Sequence, residues 1–259
     1  MTNPRSHYGL TPAAWVAGWS DVGQRHASNQ DAMSLAVRAD PPQAVIAVAD
    51  GVSTAYGSEA ASLAAVAACQ ETLLQGLQQG QPGEEAFATA FEAANRAVFA
   101  IAGDDEPSAC TLIAAVVAPG AIAVGNVGDS RAYWFGDDGD ARQLSTDDSM
   151  ATARIMMGMS REDAENSHQA HAITRWLGRE TPDVTPTMSA LQPDGPGWLV
   201  VCTDGLWNYA SAPEDLGTLF RWVVERSDGA AEIASTLVIW ANEQGGRDNV
   251  TVVVARCEA

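Results

Sequence analysis

Short apolar runs rich in valine and isoleucine recur along the chain, and each stops at a polar or turn-forming residue. Residues 44–49 (AVIAVA) end at Asp50, 122–124 precede Asp129, 199–202 precede Asp204, and 250–254 follow Asp248. Runs of about four to eight residues of this composition predict buried strands. Strands are expected at about 15–20, 32–37, 44–50, 110–118, 121–128, 131–135, 198–203 and 249–255. Between them the apolar period lengthens to that of a helix. One helix is predicted from Ser58, as N-cap with Glu59 in the first turn, through Leu63, Val66, Leu73 and Leu74 to near Gly80. A second, from Gly83 to Ala102, places Phe87, Phe91, Ala94, Val98 and Ile101 on one face. Two more are expected at about 213–226 and 229–243.

The connections constrain how these elements pair. Pro119-Gly120 and Gly128-Asp129 are too short for a crossover helix, so the strands they join are expected to pair antiparallel, which argues against a doubly wound parallel sheet. The first two helices should form a hairpin over one sheet face, and the last two cover another. The predicted fold is α+β: a four-layer α-β-β-α sandwich of two antiparallel sheets flanked by helix pairs, in a single domain over 1–259. A polar linker, Gly103-Asp104-Asp105-Glu106-Pro107, separates the first helix pair from the next strands. Residues 145–172 are polar and interrupted, with Met150, Ile155, Met156, Met157 and Met159 as their apolar cluster. They read either as small helices forming a flap or as a surface insertion.

The net charge of −19 argues against nucleic-acid and anionic-membrane partners, which require a basic face. No apolar run reaches spanning length, and Met1 to Leu10 lack the charged-then-apolar order of a signal peptide, so the cytosol is expected. Cys69, Cys110, Cys202 and Cys257 are scattered without a paired motif and read as free core thiols rather than disulfides or zinc ligands. All 14 basic residues are arginine. That excludes chemistry built on a P-loop, Schiff-base or other catalytic lysine.

What remains is chemistry of carboxylates and arginine. Asp-Gly at 50–51 and 204–205 is also a common turn dipeptide, so neither acid alone means much. Four acids at strand ends are a different matter. Two like charges about 4 Å apart repel by roughly 4 kcal/mol at an effective dielectric of about 20, and a divalent cation relieves this if the strand ends converge. Oxygen donors of this kind select Mg²⁺ or Mn²⁺ over zinc.

The order of segments resembles the metal-dependent serine/threonine protein phosphatases of the 2C type (PPM) in their compact bacterial form. The matching segments are Ser20-Asp21-Val22-Gly23 with Asn29-Gln30-Asp31, Val48-Ala49-Asp50-Gly51, Ala109-Cys110-Thr111, Val127-Gly128-Asp129-Ser130-Arg131, Leu144-Ser145-Thr146-Asp147-Asp148-Ser149, Ile173-Thr174-Arg175-Trp176-Leu177-Gly178, Cys202-Thr203-Asp204-Gly205-Leu206-Trp207 and Asp248-Asn249-Val250-Thr251. The resemblance implies two Mg²⁺ or Mn²⁺ ions between the sheets and attack of a metal-bridging water on a phosphoserine or phosphothreonine. It implies that Asp50 bridges both metals, that Gly51 offers its carbonyl, and that Asp204 and Asp248 hold one metal. Asp129 would join Asp204 at a weaker third site, and Asp31 would order metal-bound waters. Phosphoproteins opposing a Ser/Thr kinase are the implied substrates.

The chain departs from that pattern in several places. Five residues before Asp31, where the family places a phosphate-binding arginine, stands His26, with Arg25 one residue earlier; either could take the role. Val52-Ser53-Thr54 replaces the residues that often follow the Asp-Gly of the second motif, Asn208 stands where an acid is common, and Gln30 replaces a common Glu. The alternative function is a phosphatase-like protein that binds a partner or phosphopeptide with little turnover. A haloacid-dehalogenase reading fails for want of an Asp-x-Asp motif and a catalytic lysine. Arg131 and Arg175 are expected to pair with nearby Asp residues, and Trp134, Trp176 and Trp198 to lie in the core. Nothing such as a heptad seam asks for more than a monomer.

Overall fold

A computed structural model describes residues 6–81, 83–101, 107–179, 181 and 183–258. Most of the predicted linker at 103–106, and Ala102 at the end of the second predicted helix, lie outside these residues. The first part of the chain supplies β1 (His7–Ala13), β2 (Val16–Asp21), β3 (Ala32–Ala39), β4 (Pro42–Ala49), α1 (Ser58–Gln78) and α2 (Gly83–Phe99). The middle supplies β5 (Ala109–Cys110), β6 (Leu112–Ala118), β7 (Ala121–Val127), β8 (Arg131–Gly136), β9 (Ala141–Gln143) and the short helices α3 (Met150–Met156) and α4 (Arg161–Glu165). The remainder supplies β10 (Leu177–Gly178), β11 (Thr187–Leu191), β12 (Gly197–Cys202), α5 (Asp204–Trp207), α6 (Pro213–Val224), α7 (Ala230–Glu243) and β13 (Val250–Cys257).

Among the described residues, one sheet runs β1-β2-β13-β12-β8-β9 and the other β11-β7-β6-β4-β3, with β10 and β5 as a short separate pair. All pairings are antiparallel. The α+β sandwich predicted from the apolar pattern is the one observed. Its layering follows from strand alternation. On β4, Val45, Ala47 and Ala49 pack under α1 and α2 with Cys69, Leu73, Phe87 and Phe91. Ala44, Ile46 and Val48 point the other way, against Ala132, Leu199, Val201 and Val253 of the facing sheet. That sheet in turn packs Val200, Cys202, Val252 and Val254 against Leu216, Phe220, Ile233 and Leu237 of α6 and α7. Strands covered on both faces read as near-continuous apolar runs, which is why they stand out in the sequence.

The structure corrects several expectations. β7 and β8 do not pair with each other: Gly128, at φ +106°, turns the chain out of one sheet and into the other. A side chain at Gly128 would also meet Thr111 at 2.6 Å. The strand expected over 110–118 breaks at Thr111, whose N–H bonds the Asp50 carbonyl while its hydroxyl accepts from the Asp50 N–H. Ser58 is not the N-cap of α1. Gly57 is, in a left-handed conformation, because the Ser58 hydroxyl is taken by Gln30 Nε2 at 2.6 Å. β1 and β11 were not expected, although Tyr8 and Leu10 alternate toward the inter-sheet core. Trp134 is buried, but Trp176 and Trp198 are half-buried.

Residues 145–172 do carry two small helices. Their apolar contacts differ from expectation: Met156, Met157 and Met159 are exposed, and a small core of Ala151, Ala164 and Ala170 with Ile155 holds the segment together. The four cysteines are buried and free. No helix of the described residues is long and apolar enough to cross a membrane.

Candidate metal and phosphate site

Strand register brings the acids to one edge of the sandwich. In the five-stranded sheet Ala32 opposes Ala49, Val48 opposes Ile113, and Leu112 opposes Val127. Asp31, Asp50 and Asp129 therefore leave that sheet at the same end. In the six-stranded sheet Cys202 opposes both Val252 and Arg131, and Val250 opposes Asp21. Asp204 and Asp248 leave it at the matching end, joined to the other sheet by the 128–130 turn. No helix or loop insertion was needed to gather them.

Burial and mutual repulsion make this edge electrostatically costly. Asp50 is held well above the ordinary carboxylate range by desolvation and then by Asp31, Asp204, Asp129 and Asp248, with no basic group opposing them among its main influences. Desolvation, then Asp204 and Asp147, also raise Asp129. Asp204 is pushed up to about 7 by desolvation and Asp248, and Asp31 to about 7 by desolvation. Asp129 and Asp31 are buried, while Asp50, Asp204 and Asp248 are half-buried at the mouth.

Hydrogen bonds fix the carboxyls of Asp31 and Asp204. Asp31 Oδ2 accepts from the hydroxyls of Thr203 and Thr251, each at 2.8 Å. With its proton committed to Asp31, Thr251 accepts from Ser20 at 2.8 Å, and Ser20 accepts from Asn29 Nδ2 at 2.8 Å. Gly51 sits where a Cβ would lie 2.7 Å from the Ser58 carbonyl, so the Asp50-Gly51 turn tolerates no side chain. Gly205 is tighter still, with the Asn249 carbonyl at 2.0 Å from such a Cβ. Asp204 Oδ2 accepts from Asn208 Nδ2 at 3.0 Å, and its Oδ1 meets no donor among the described residues.

This donor set fits divalent metal. Among the described residues no three acids, histidines or cysteines form a closed cage. Mg²⁺ does not require one, since it keeps several waters and takes one or two carboxylates per ion. Carboxylates that repel one another, with an orphaned oxygen on Asp204, match that mode of binding better than any basic side chain nearby.

A cleft of about 900 Å³ opens beside this edge, lined by Gly205, Trp207 and Asp248 on one side and by α4 of the flap on the other. The flap is tied back to the edge through Arg131, a residue whose pairing the sequence anticipated. Its guanidinium makes two bonds to Asp147 Oδ2, at 2.8 and 2.6 Å, and stacks 3.7 Å above the Trp207 ring. Trp207 Nε1 donates to the Asp129 carbonyl at 3.0 Å. Arg175 pairs with Asp148, as expected, and Asp148 Oδ2 accepts from the Gly128 N–H.

The protein phosphatase 2C family model matches residues 22–240. The chain belongs to this family. It is 31% identical over 247 residues to the serine/threonine protein phosphatase PstP of Mycobacterium tuberculosis, covering 92% of this chain and 44% of that protein. The chain thus spans about half the length of the curated relatives it matches first. Among solved structures it is similar to the PPM Ser-Thr phosphatase MsPP of Mycobacterium smegmatis in complex with cacodylate, at TM-score 0.74 and 31% identity over 93% of this chain and 97% of that one. It is also similar to the catalytic domain of PstP in complex with two manganese ions, at TM-score 0.71 and 25% identity over 94% of this chain and 98% of that one.

Against the 2C-type pattern, the departures acquire physical content. His26 Nε2 lies 3.2 Å from Asp248 Oδ1, so the histidine standing at the arginine position is in contact with one of the clustered acids. Arg25 is exposed beside it and makes no ion pair among the described residues. Gln30 keeps a structural role: its Oε1 accepts from Ser53 and its backbone carbonyl from Ser62 and the Gly51 N–H. Asn208 caps Asp204 instead of adding a charge. Sequence reasoning missed Trp207 and Glu165 as cleft residues, because only the fold brings α4 to α5.

Proposed function

We propose that this chain is a Mg²⁺- or Mn²⁺-dependent protein phosphatase that hydrolyses phosphothreonine or phosphoserine in proteins phosphorylated by an opposing Ser/Thr kinase. The observation that carries this reading is the convergence of Asp31, Asp50, Asp129, Asp204 and Asp248 on one sandwich edge, with no basic group among the main influences on Asp50 within the described residues. Asp50, the Gly51 carbonyl, Asp204 and Asp248 would hold two metal ions, and Asp129 with Asp204 a weaker third. Bound there, the ions supply Lewis acidity and a water acidified toward neutral pH.

The chain's own groups do the rest. Asp31, immobilised by Thr203 and Thr251, holds a buried carboxyl of fixed orientation behind the metal edge. Arg25 binds the substrate phosphate, since His26 is occupied by Asp248. A guanidinium suits this role because it presents two parallel donors to phosphate oxygens. The cleft between Trp207 and α4 receives the polypeptide on either side of the phosphoresidue. Four buried free thiols fit a reducing cytosol, and a monomer accounts for the whole site.

The test is hydrolysis of p-nitrophenyl phosphate and of a phosphothreonine peptide, with and without Mn²⁺ or Mg²⁺, beside an Asp50→Asn/Asp204→Asn double variant. Metal-dependent turnover absent from the variant supports the reading. Metal and phosphopeptide binding without turnover would favour a partner-binding protein instead.

A further inference from the structure

We infer that Glu165 is the clasp of the flap, a positioning residue that sets selectivity for phosphoproteins over small aryl phosphates by fixing the α4 wall of the cleft. The inference rests on the phosphatase reading above for its substrate class, but its structural part stands apart from it.

The flap's apolar contacts are largely internal, Ala164 of α4 packing with Ala151 and Ala170 in a small core distinct from the three large ones. Attachment of α4 to the body is therefore polar. Glu165 Oε2 accepts from the Ser211 hydroxyl at 2.6 Å, and its Oε1 lies 3.5 Å from Arg131 Nη2 and 3.2 Å from Arg161 Nη1. Arg161 adds one long contact to Gln143 at 3.4 Å. Glu165 thus carries most of the join.

Both groups it grips are rigid. Arg131 is 3% exposed and already bound to Asp147, with its plane on Trp207. Ser211 is fixed by its carbonyl, which accepts from Arg131 Nη1 at 3.3 Å and from the Tyr133 hydroxyl at 3.2 Å. A carboxylate held by two pre-organised donors loses little further freedom on binding them, so the join is stronger than an exposed ion pair of the same length. The same Arg131 and Trp207 contact the Asp129 peptide and α5, which begins at Asp204. Glu165 therefore fixes α4 relative to the acids of the metal edge, without itself belonging to them. A small aryl phosphate needs only the metal edge, whereas a polypeptide must also fit between Trp207 and α4.

The experiment compares wild type with Glu165→Ala, Glu165→Gln and Ser211→Ala, all loaded with Mn²⁺, using a phosphothreonine protein and p-nitrophenyl phosphate. In Glu165→Ala, KM for the phosphoprotein is expected to rise about fivefold to tenfold with kcat largely kept, the scale of one ordinary hydrogen bond. The ratio of phosphoprotein to aryl-phosphate kcat/KM falls accordingly. Glu165→Gln, which still accepts from Ser211, recovers part of it. Separately, limited trypsinolysis read by mass spectrometry should show faster cleavage after Arg154 and Arg161 in Glu165→Ala than in wild type. Equal losses on both substrates, or unchanged trypsin cleavage within the flap, overturn the clasp. Absence of wild-type turnover on either substrate would sink the phosphatase reading alone, since the trypsin comparison still decides whether Glu165 holds the flap.

Discussion

His26 Nε2 and Asp248 Oδ1 stand 3.2 Å apart, which places the one imidazole of the first motif against one of the clustered acids. A histidine this close to Asp248 is held against that carboxylate, and on the proposed function the phosphate falls to Arg25. Arg25→Ala is therefore expected to raise KM about tenfold or more with a smaller change in kcat, as loss of a charge-assisted contact made in both ground and transition states would. His26→Ala should instead raise the Mn²⁺ concentration needed for half-maximal activity. Steady-state kinetics at varied substrate and varied Mn²⁺ separate the two roles, and a silent Arg25→Ala would refute the assignment.

Asp50 faces repulsion from four other acids, so removing its charge should trade function for stability. Asp50→Asn is expected to raise Tm in EDTA by roughly 2–4 °C, what about 1 kcal/mol does in a chain of this size. It should also abolish both the Mn²⁺-induced rise in Tm and metal-dependent turnover. Differential scanning fluorimetry with and without Mn²⁺ reads both effects; a lower Tm in EDTA would mean that Asp50 is structurally paired.

The raised carboxyls predict a pH dependence of the metal-free protein. Asp31 and Asp204 hold protons up to about 7 when folded but release them near the ordinary carboxylate value when unfolded. Between these limits the folded state binds more protons, so stability falls as pH rises through that window and reaches its floor above about 7. Tm in EDTA should thus be lower at pH 8 than at pH 6, and saturating Mn²⁺ should shrink that difference. A Tm in EDTA that rises from pH 6 to pH 8 would contradict it.

Thr251 donates to Asp31 and accepts from Ser20, both at 2.8 Å in a buried setting. Thr251→Val preserves shape but strands both partners, at a cost of about 1–3 kcal/mol. Chemical denaturation should show it as a lower midpoint with an unchanged slope. The substitution should also reduce kcat through a loosened Asp31.

Arg131 and Asp147 form a nearly dry pair, with side chains 4% and 3% exposed. Arg131→Ala leaves the Asp147 carboxylate buried and unpaired, which typically costs about 3–5 kcal/mol, and Arg131→Lys cannot reproduce the forked contact. Both variants should lose much of their stability, the double variant Arg131→Met/Asp147→Leu less than Arg131→Ala alone. Urea denaturation of the three decides this.

The chain's own order of residues determined most of the sandwich. Strands such as 44–49, 199–202 and 250–254 are covered on both faces, so their burial is written as unbroken apolar runs, and the Asp residues ending them are visible as breaks. α2, α6 and α7 are similarly legible from one apolar face each, and α1 from its long alanine-rich run. Tertiary structure alone decided which sheet each strand joined: Gly128 sends β8 away from β7, a turn whose direction no local pattern encodes. It alone also decided the surroundings of the site. His26 meets Asp248 across about 220 positions, and Glu165 meets Ser211 across 46, because strand register and loop packing bring them together. Periodicity records what a residue's immediate neighbours bury, whereas pairings between half-exposed polar groups depend on where whole elements end.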